Sequence, residues 1–441
     1  MSREHTDNTP YSSDHLIDLD SNELLKGMFV ADIDCAWSKT PFEMGGFHIR
    51  SSEDIQILQK YCSVVVIDLN KGVKPRKERL NDLTILSSAR QAVPASASLK
   101  INRETHAVTH TIKQQIDKAH LLYESLTKIL NIIAHQTRLG DSPDFTDLSR
   151  TLEALTDCIV ANPQTLIWIL NTDSIESSAT VYCARSGVWA AILARQTGMS
   201  KNDIQALFMG TVLADIGMHL LPERLVTKTG PFRKKEFLAY KKHVDFGLEL
   251  LAQHSDLDDR IVSIVRCHHE RHDGLGFPRG LRGEQVPLLA RYASLAYSFE
   301  RLLRKQSKAP TVSPVKAMAR LYKQRVLKFP EQLAVEFIHV MGTYPIGSLV
   351  ELSSGEVAIV LQQIEGEKLA PRVAVLSNNE KKKLKQAKEI ELSSSKYRDA
   401  GLTIKGSLGG TESHKLNINA SDYMMEFCGK RVGFGALSVR V

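Results

Sequence analysis

Apolar residues recur at three-and-four spacing over the long central part of the chain. From Ile112 to Ile133 they line one face of about six helical turns. The same spacing returns in separate segments from about Thr180 to Leu303, without the alternation that a strand requires. This pattern predicts an all-helical domain, which we place at residues 103–343.

The residues before this domain show a mixed pattern. Apolar strand-like runs occur at Leu24–Asp34, Phe47–Ile49 and Ser63–Asp68. Between the last two, a capping serine and acidic residues open a predicted helix at Ser51–Leu58. We therefore predict a loose, disordered tail at 1–20, a small α+β module at 21–72 and an irregular basic linker at 73–102.

The spacing of apolar residues changes again after the helical domain. Tyr344–Leu352, Glu356–Leu361 and Arg372–Leu376 read as short strands separated by turn residues. We expect a strand-rich segment at 344–377, followed by a polar tail at 378–441 without an assigned role. The predicted fold class is mainly α, with an α+β module before the helices and a strand-rich tail after them.

Composition narrows the class of protein. The 441 residues are 43% hydrophobic and 24% charged, as in soluble globular proteins, and the net charge is only +7. The basic runs at 71–79 and 381–388 fit solvated linkers better than a surface for a nucleic acid polymer. Scattered cysteines, a polar N-terminus and the lack of an 18-residue apolar run predict a cytoplasmic protein without a membrane span.

Residues that can bind a metal ion or take part in catalysis are concentrated at His268–Pro278, directly after an apolar helical run. Consecutive histidines near a helix end, about 100° apart around its axis, can both reach one metal ion. Gly276 permits close backbone packing and Pro278 fixes the exit of the turn. The alternative is a polar loop with a chance histidine pair.

This stretch resembles the His-His-Glu-x-x-Asp-Gly-x-Gly-Tyr-Pro signature of the HD-GYP family, with Phe277 at the tyrosine position. The resemblance extends from about Asn171 to Leu376, and the N-terminal module resembles the domain that often precedes HD-GYP domains. It implies an HD-type helical fold and a bacterial, metal-dependent phosphodiesterase that hydrolyses cyclic di-GMP. A divalent Fe or Mn ion is the implied cofactor.

The resemblance implies ligands or catalytic groups at nine positions, of which four keep a suitable side chain. The retained set is Asp215, His243, His268 and His269. The positions that depart from the pattern are Thr180, Ala184, Ala214, Met218 and Tyr297, where the family usually has Glu, His, His, Lys and Asp. The retained set can hold a single ion in a depleted site, and it can equally be kept by hydrogen bonds in the core.

These observations lead to two hypotheses. The first is a degenerate HD-GYP signalling protein that binds cyclic di-GMP or a protein partner, with weak or no hydrolysis and no catalytic residue. The second is an active metal-dependent phosphodiesterase in which Asp215 takes part in catalysis. In either case, the residues expected to contact the nucleotide are Gly276, Phe277, Pro278, Arg304, Lys305 and Lys308.

Overall fold

Between residues 112 and 341 the chain folds into α-helices around one apolar core. The structure is a computed structural model that describes residues 16–33, 42, 46–62, 64–69, 71–73, 99–172, 178–228, 232–303, 312–325, 327–364, 366–367 and 369–408. The helices of these residues are α1 (Ser52–Tyr61), α2 (Ile112–Leu139), α3 (Thr146–Ala161), α4 (Pro163–Thr172), α5 (Ala179–Gln196), α6 (Lys201–Leu213), α7 (Glu223–Val226), α8 (Lys234–Lys241), α9 (His243–Leu251), α10 (Asp259–Cys267), α11 (Leu288–Leu303), α12 (Pro314–Lys323), α13 (Glu331–Met341) and α14 (Ser395–Asp399).

Two antiparallel sheets flank the helices in sequence. Their strands are β1 (Leu16–Asp20), β2 (Phe29–Ile33), β3 (Phe47–His48), β4 (Val64–Asp68), β5 (Leu349–Leu352), β6 (Val357–Gln362), β7 (Arg372–Ser377), β8 (Lys383–Glu391) and β9 (Ile404–Ser407). The first sheet has the order β1-β4-β2-β3 and a small core of its own, whereas the second has the order β8-β7-β6-β5-β9 and shares the core of the helices. The predicted fold class is confirmed.

Helix α5 lies at the centre of the helical domain. Its residues are buried around nearly the whole helix from Cys183 to Arg195, as expected of a helix surrounded by others. It meets α6 closely at Gly187, where an added Cβ would lie 2.5 Å from Val212 and 2.8 Å from Phe208. Only a glycine allows this approach, and it brings the ends of both helices to the same side of the domain.

A buried ion pair joins α5 to α11. The Arg185 guanidinium donates to the Glu300 carboxylate at 2.6 Å and to the Leu170 carbonyl at 2.7 Å, and Trp189 donates to the same carboxylate at 2.8 Å. Because both charged groups are almost fully buried, replacing either one alone would leave an uncompensated charge. The network fixes α11 against α5 behind the candidate site.

Two segments differ from the sequence expectations. Strand β1 lies within the predicted tail at 1–20, where a turn-rich composition obscured a strand that pairs with β4. Beyond residue 377 the polar tail that the sequence left without an assigned role forms β8, α14 and β9 up to residue 408. The lysines of β8 lie on an edge strand and not in a linker, a position where charge discourages pairing with other chains.

Candidate metal centre

The candidate metal ligands come from three neighbouring helix ends. Asp215 follows α6 and precedes a 3₁₀ turn at Ile216–Leu220, His243 begins α9, and His268 and His269 follow α10. At Gly217 an added Cβ would lie 2.0 Å from the His243 carbonyl oxygen and 2.5 Å from the Gly247 nitrogen. The turn therefore rests directly on α9, which sets Asp215 opposite His243.

One ligand atom from each of the four residues lies within 4.8 Å of the others. The Asp215 Oδ1 atom is 3.4 Å from the Nε2 atoms of both His243 and His268, and His269 Nε2 is 3.2 Å from His243 Nε2. The structure thus brings together all four residues that the sequence singled out as retained ligands.

Backbone contacts define which ring nitrogens face inward. Nδ1 of His243 lies 2.6 Å from the Tyr240 carbonyl, and Nδ1 of His268 lies 2.9 Å from the Val265 carbonyl. A carbonyl only accepts, so each Nδ1 carries the proton when the ring is neutral, and each Nε2 presents a lone pair to the centre. Such hydrogen bonds also hold metal-ligating histidines in position.

Burial favours the neutral form of two of the imidazoles. It lowers the pKa of His243, and it lowers that of His269 well below the ordinary value, with the neighbouring histidines adding to the effect. For Asp215, burial would raise the pKa, but the histidines, first His268, outweigh it and hold the pKa of that carboxyl well below its usual range. Neutral imidazoles and a carboxylate are the forms that bind a metal ion.

The ligand atoms of these four residues suit a metal cation. Asp215 Oδ1 and His268 Nε2 are buried and have no hydrogen-bond partner among the described residues. Both are acceptors when the imidazole is neutral, and acceptors 3.4 Å apart repel each other unless a positive charge lies between them. Three imidazoles and one carboxylate are suitable ligands for a divalent transition metal. These residues therefore fit the metal that the resemblance implies.

On α5, directly after α6, and on α11 lie positions where the resemblance implies further metal ligands, and their side chains are not metal-binding carboxylates or imidazoles. The Thr180 hydroxyl donates to Asn131 Oδ1 at 2.7 Å, and Ala184 and Ala214 are fully buried without a ligand atom. The ring centroid of Tyr297 lies 5.5 Å from that of His268, but its hydroxyl donates to the Thr211 carbonyl at 3.0 Å. Burial raises the pKa of the Tyr297 phenol well above its usual value, so it stays a neutral donor.

The predicted substrate loop packs on the histidine pair. The Phe277 nitrogen donates to the His269 carbonyl at 3.2 Å, and an added Cβ on Gly276 would lie within 2.5 Å of the backbone of Glu270 and Arg271. The buried Glu270 carboxylate accepts from the Arg279 nitrogen at 2.7 Å and from the Leu281 nitrogen at 2.9 Å. Glu270 therefore holds the loop against the site, and Pro278 lies exposed beside it.

The three basic residues predicted to contact the nucleotide, Arg304, Lys305 and Lys308, lie outside the described residues. Sequence reasoning missed Arg301, an exposed cation at the end of α11 that lowers the pKa of His269 after burial and the other histidines. It also missed the aromatic residues of α8, whose signal was available: Phe237 and Tyr240 precede His243 at three-residue spacing.

Comparisons with known proteins place this geometry in a family. The model of the HD domain matches residues 169–332, which include the whole four-residue cluster, and the model described as Domain of unknown function (DUF3391) matches residues 16–148. The cyclic di-GMP phosphodiesterase PA4108 of Pseudomonas aeruginosa is 25% identical over 80% of this chain and 83% of its own length. The chain is a member of the HD-GYP family.

Two further matches cover a smaller part of this chain. The cyclic di-GMP phosphodiesterase response regulator RpfG of Xanthomonas campestris is 30% identical over 34% of this HD-GYP chain and 40% of its own length. The solved structure of Bd1817, an HDG"Y"P protein from Bdellovibrio bacteriovorus, covers 74% of this chain and 99% of its own, with 17% identity and a TM-score of 0.45.

The HD domain family is metal-dependent, and the four-residue cluster of this HD-GYP protein is the possible metal site among its described residues. The described part of the chain contains no helix that combines the length and the apolar character needed to cross a membrane.

Proposed function

We propose that this HD-GYP protein holds one divalent metal ion and binds cyclic di-GMP, with weak or no hydrolysis of the nucleotide. The observation that carries the proposal is the asymmetry of the site. Ligand atoms converge from Asp215, His243, His268 and His269, whereas at four positions where the resemblance implies further groups the side chains are alanines or hydroxyls that donate within the protein: Thr180, Ala184, Ala214 and Tyr297. Cyclic di-GMP is the ligand class because the relatives named above act on it.

The retained side supports binding of one ion. Asp215, His243, His268 and His269 would hold it, and when bound it would supply Lewis-acid stabilisation of a phosphate oxygen. The protein groups around it orient the ligands: the carbonyls of Tyr240 and Val265 fix two imidazoles, and Glu270 fixes the loop that carries Phe277. The proposed metal is iron or manganese, as the family resemblance implies, and imidazole and carboxylate donors are compatible with that choice.

The remodelled side supports weak turnover. Ala214 and Met218 stand where the resemblance implies a histidine and a lysine, and neither side chain can carry a proton. A positioned acid or base commonly contributes about 10²–10⁴-fold to a rate. Tyr297 presents a neutral ring where the resemblance implies a carboxylate, and its hydroxyl is used by the Thr211 carbonyl. Protein binding by the same fold stays a prediction that no described contact tests.

A second candidate function is hydrolysis with a single ion. It is favoured by the buried atoms Asp215 Oδ1 and His268 Nε2, 3.4 Å apart, which a bound cation would satisfy together. The two functions share the metal site and differ in turnover.

The test is to load purified protein with Mn²⁺ or Fe²⁺ and to measure cyclic di-GMP binding and linear product in the same samples. We expect binding with little product, and loss of bound metal in His268→Ala. The exposed His110 supplies the matched control, since His110→Ala should leave both readouts unchanged. Rapid product formation that disappears in His268→Ala would show that the second function is correct, and absence of binding would overturn the first.

A further inference from the structure

Three aromatic rings form a corner beside the metal cluster. The rings of Phe237 and Tyr240 on α8 are nearly parallel, at an interplanar angle of 10° and a centroid distance of 6.4 Å. The Phe277 ring stands edge-on to both, 5.9 Å from Phe237 and 6.4 Å from Tyr240. We call these three residues the aromatic corner. None of the three belongs to the apolar core of the helical domain, and Phe237 is 39% exposed.

The aromatic corner begins where the metal cluster ends. The Phe277 ring stacks on His269 at a centroid distance of 4.3 Å and an angle of 25°, and Tyr240 lies 4.8 Å from His243. A molecule with one group at the cluster and a planar apolar group attached to it would reach the rings. Single exposed apolar residues are ordinary on protein surfaces, but rings continuous with a metal site indicate a binding surface.

The Lys241 ammonium group borders the aromatic corner. Lys241 Nζ lies 4.7 Å from the Phe237 centroid and 5.1 Å from the Phe277 centroid, where it holds both rings by cation–π attraction. Exposed or half-buried positive charge beside apolar rings matches a ligand that is both aromatic and anionic, which a lipid tail or an aliphatic side chain is not.

We propose that the aromatic corner of Phe237, Tyr240 and Phe277 takes a purine base of the nucleotide whose phosphate lies at the metal cluster. This inference rests on the function proposed above and adds the group that recognises the base. Every base has a π face that stacks on aromatic side chains, so such a surface recognises nucleotides without a dedicated hydrogen-bond pattern. Phe237 is the residue whose contribution can be measured, because it is the most exposed of the three and lies outside the apolar core.

The experiment measures affinity for cyclic di-GMP in metal-loaded Phe237→Ala, Phe237→Tyr and Leu238→Ala. Leu238 is the matched control, since it lies on the same helix and is 55% exposed. We expect about tenfold weaker binding in Phe237→Ala, from the lost stacking, and near wild-type affinity in the other two variants. Melting temperatures of the three variants should agree with that of the wild type.

Two further small molecules distinguish binding of the base from binding of the phosphate. Phe237→Ala should weaken GMP binding and leave ribose 5-phosphate unaffected, because only GMP carries a base. If Phe237→Ala binds cyclic di-GMP as the wild type does, the aromatic corner is not the base site, while the proposed function stands. If the wild type binds no cyclic di-GMP but its GMP affinity depends on Phe237, the proposed function fails and the inference holds. If it binds neither, both fail.

Discussion

The two sides of the site are built on the same helical scaffold and differ in what their side chains can bind. On the side of α9 and α10, His243, His268 and Asp215 turn lone pairs toward one point. On the side of α5 and α11, Thr180 and Tyr297 use their hydroxyl groups in hydrogen bonds within the protein. On the proposal made above, the first side binds a cation and the second does not.

Contacts away from the candidate ligands hold the scaffold together. The buried Arg185–Glu300 pair and the Gly187 contact keep α5, α6 and α11 in place independently of any ligand on them. A helix end can then exchange a ligand for an apolar or self-satisfied side chain without disturbing the neighbouring helix end.

The largest expected effect separates the two sides by metal affinity. His243→Ala should weaken binding of Mn²⁺ by at least about 100-fold, because replacing even an outer partner of a ligand commonly costs 10–100-fold. Thr180→Val, a change of similar burial on the other side, should leave affinity unchanged. Metal titration of both variants measures this, and equal losses would mean that the two sides bind the ion together.

Restoring the remodelled side should produce the next largest effect. Thr180→Glu, Ala184→His, Ala214→His, Met218→Lys and Tyr297→Asp together should raise bound metal and recover phosphodiesterase activity, measured by elemental analysis and product formation. Single changes should do little, because ligands and catalytic groups act as a unit. Ala214→His alone should destabilise the fold by about 1–3 kcal/mol, since Ala214 is fully buried.

The combined variant should also be less stable in chelator than in metal, because its added ligands repel one another or stay unpaired without an ion. If it folds, melts at the same temperature in both conditions and binds no metal, these positions do not surround one pocket.

A smaller effect concerns the hydrogen bond of Tyr297. Tyr297→Phe should destabilise the protein by about 0.5–1.5 kcal/mol, because the Thr211 carbonyl loses its side-chain donor but keeps the Ala214 nitrogen as a donor. Metal content should not change. Urea unfolding provides the measurement, with Tyr322→Phe as the control because Tyr322 is 41% exposed. A gain in metal affinity would contradict the account, since it would make the hydroxyl a competitor for the ion.

The smallest predicted effect is the pH dependence of folding stability that His219 contributes. Burial, and then the Arg138 guanidinium at 3.4 Å, lowers the pKa of His219 to about 4, while the Asp215 carboxylate opposes this. In the unfolded chain the imidazole titrates near about 6.5. Between these values the unfolded state binds a proton that the folded state does not, so stability falls as the pH is lowered through this range.

For His219 this loss should be on the order of 1 kcal/mol between pH 7 and pH 5, given its partial exposure. Urea unfolding in chelator at both pH values, with His219→Asn as the reference, isolates the contribution. An identical loss in wild type and His219→Asn would show that His219 does not contribute.

Much of this molecule was predictable from local pattern. The three-and-four spacing predicted the helices from Ile112 onward, and the histidine pair His268–His269 indicated a metal site. That Asp215 and His243 join them was implied by the family resemblance and not by local pattern. β1 is only five residues long and contains two aspartates, and most residues of β8 are polar or charged. Both become strands through pairing, with β4 and β7 respectively. Pairing partners distant in sequence leave little local signal.

The aromatic corner escaped for a different reason. Phe237 and Tyr240 read as ordinary apolar positions of a helix, and only the folded loop brings Phe277 against them. The surroundings of Tyr297 were also hidden, because the family resemblance implies a carboxylate at this position but does not show that the tyrosine hydroxyl donates to the Thr211 carbonyl.

The central claim is that one side of the site binds an ion and the other does not, and metal stoichiometry tests it most directly. Elemental analysis of protein loaded with Mn²⁺ or Fe²⁺ and then desalted should give about one ion per chain, as expected of a single four-ligand site. His268→Ala should give almost none. Two ions per chain would contradict the claim, and less than about a tenth of an ion per chain would exclude both the metal site and any hydrolysis that depends on it.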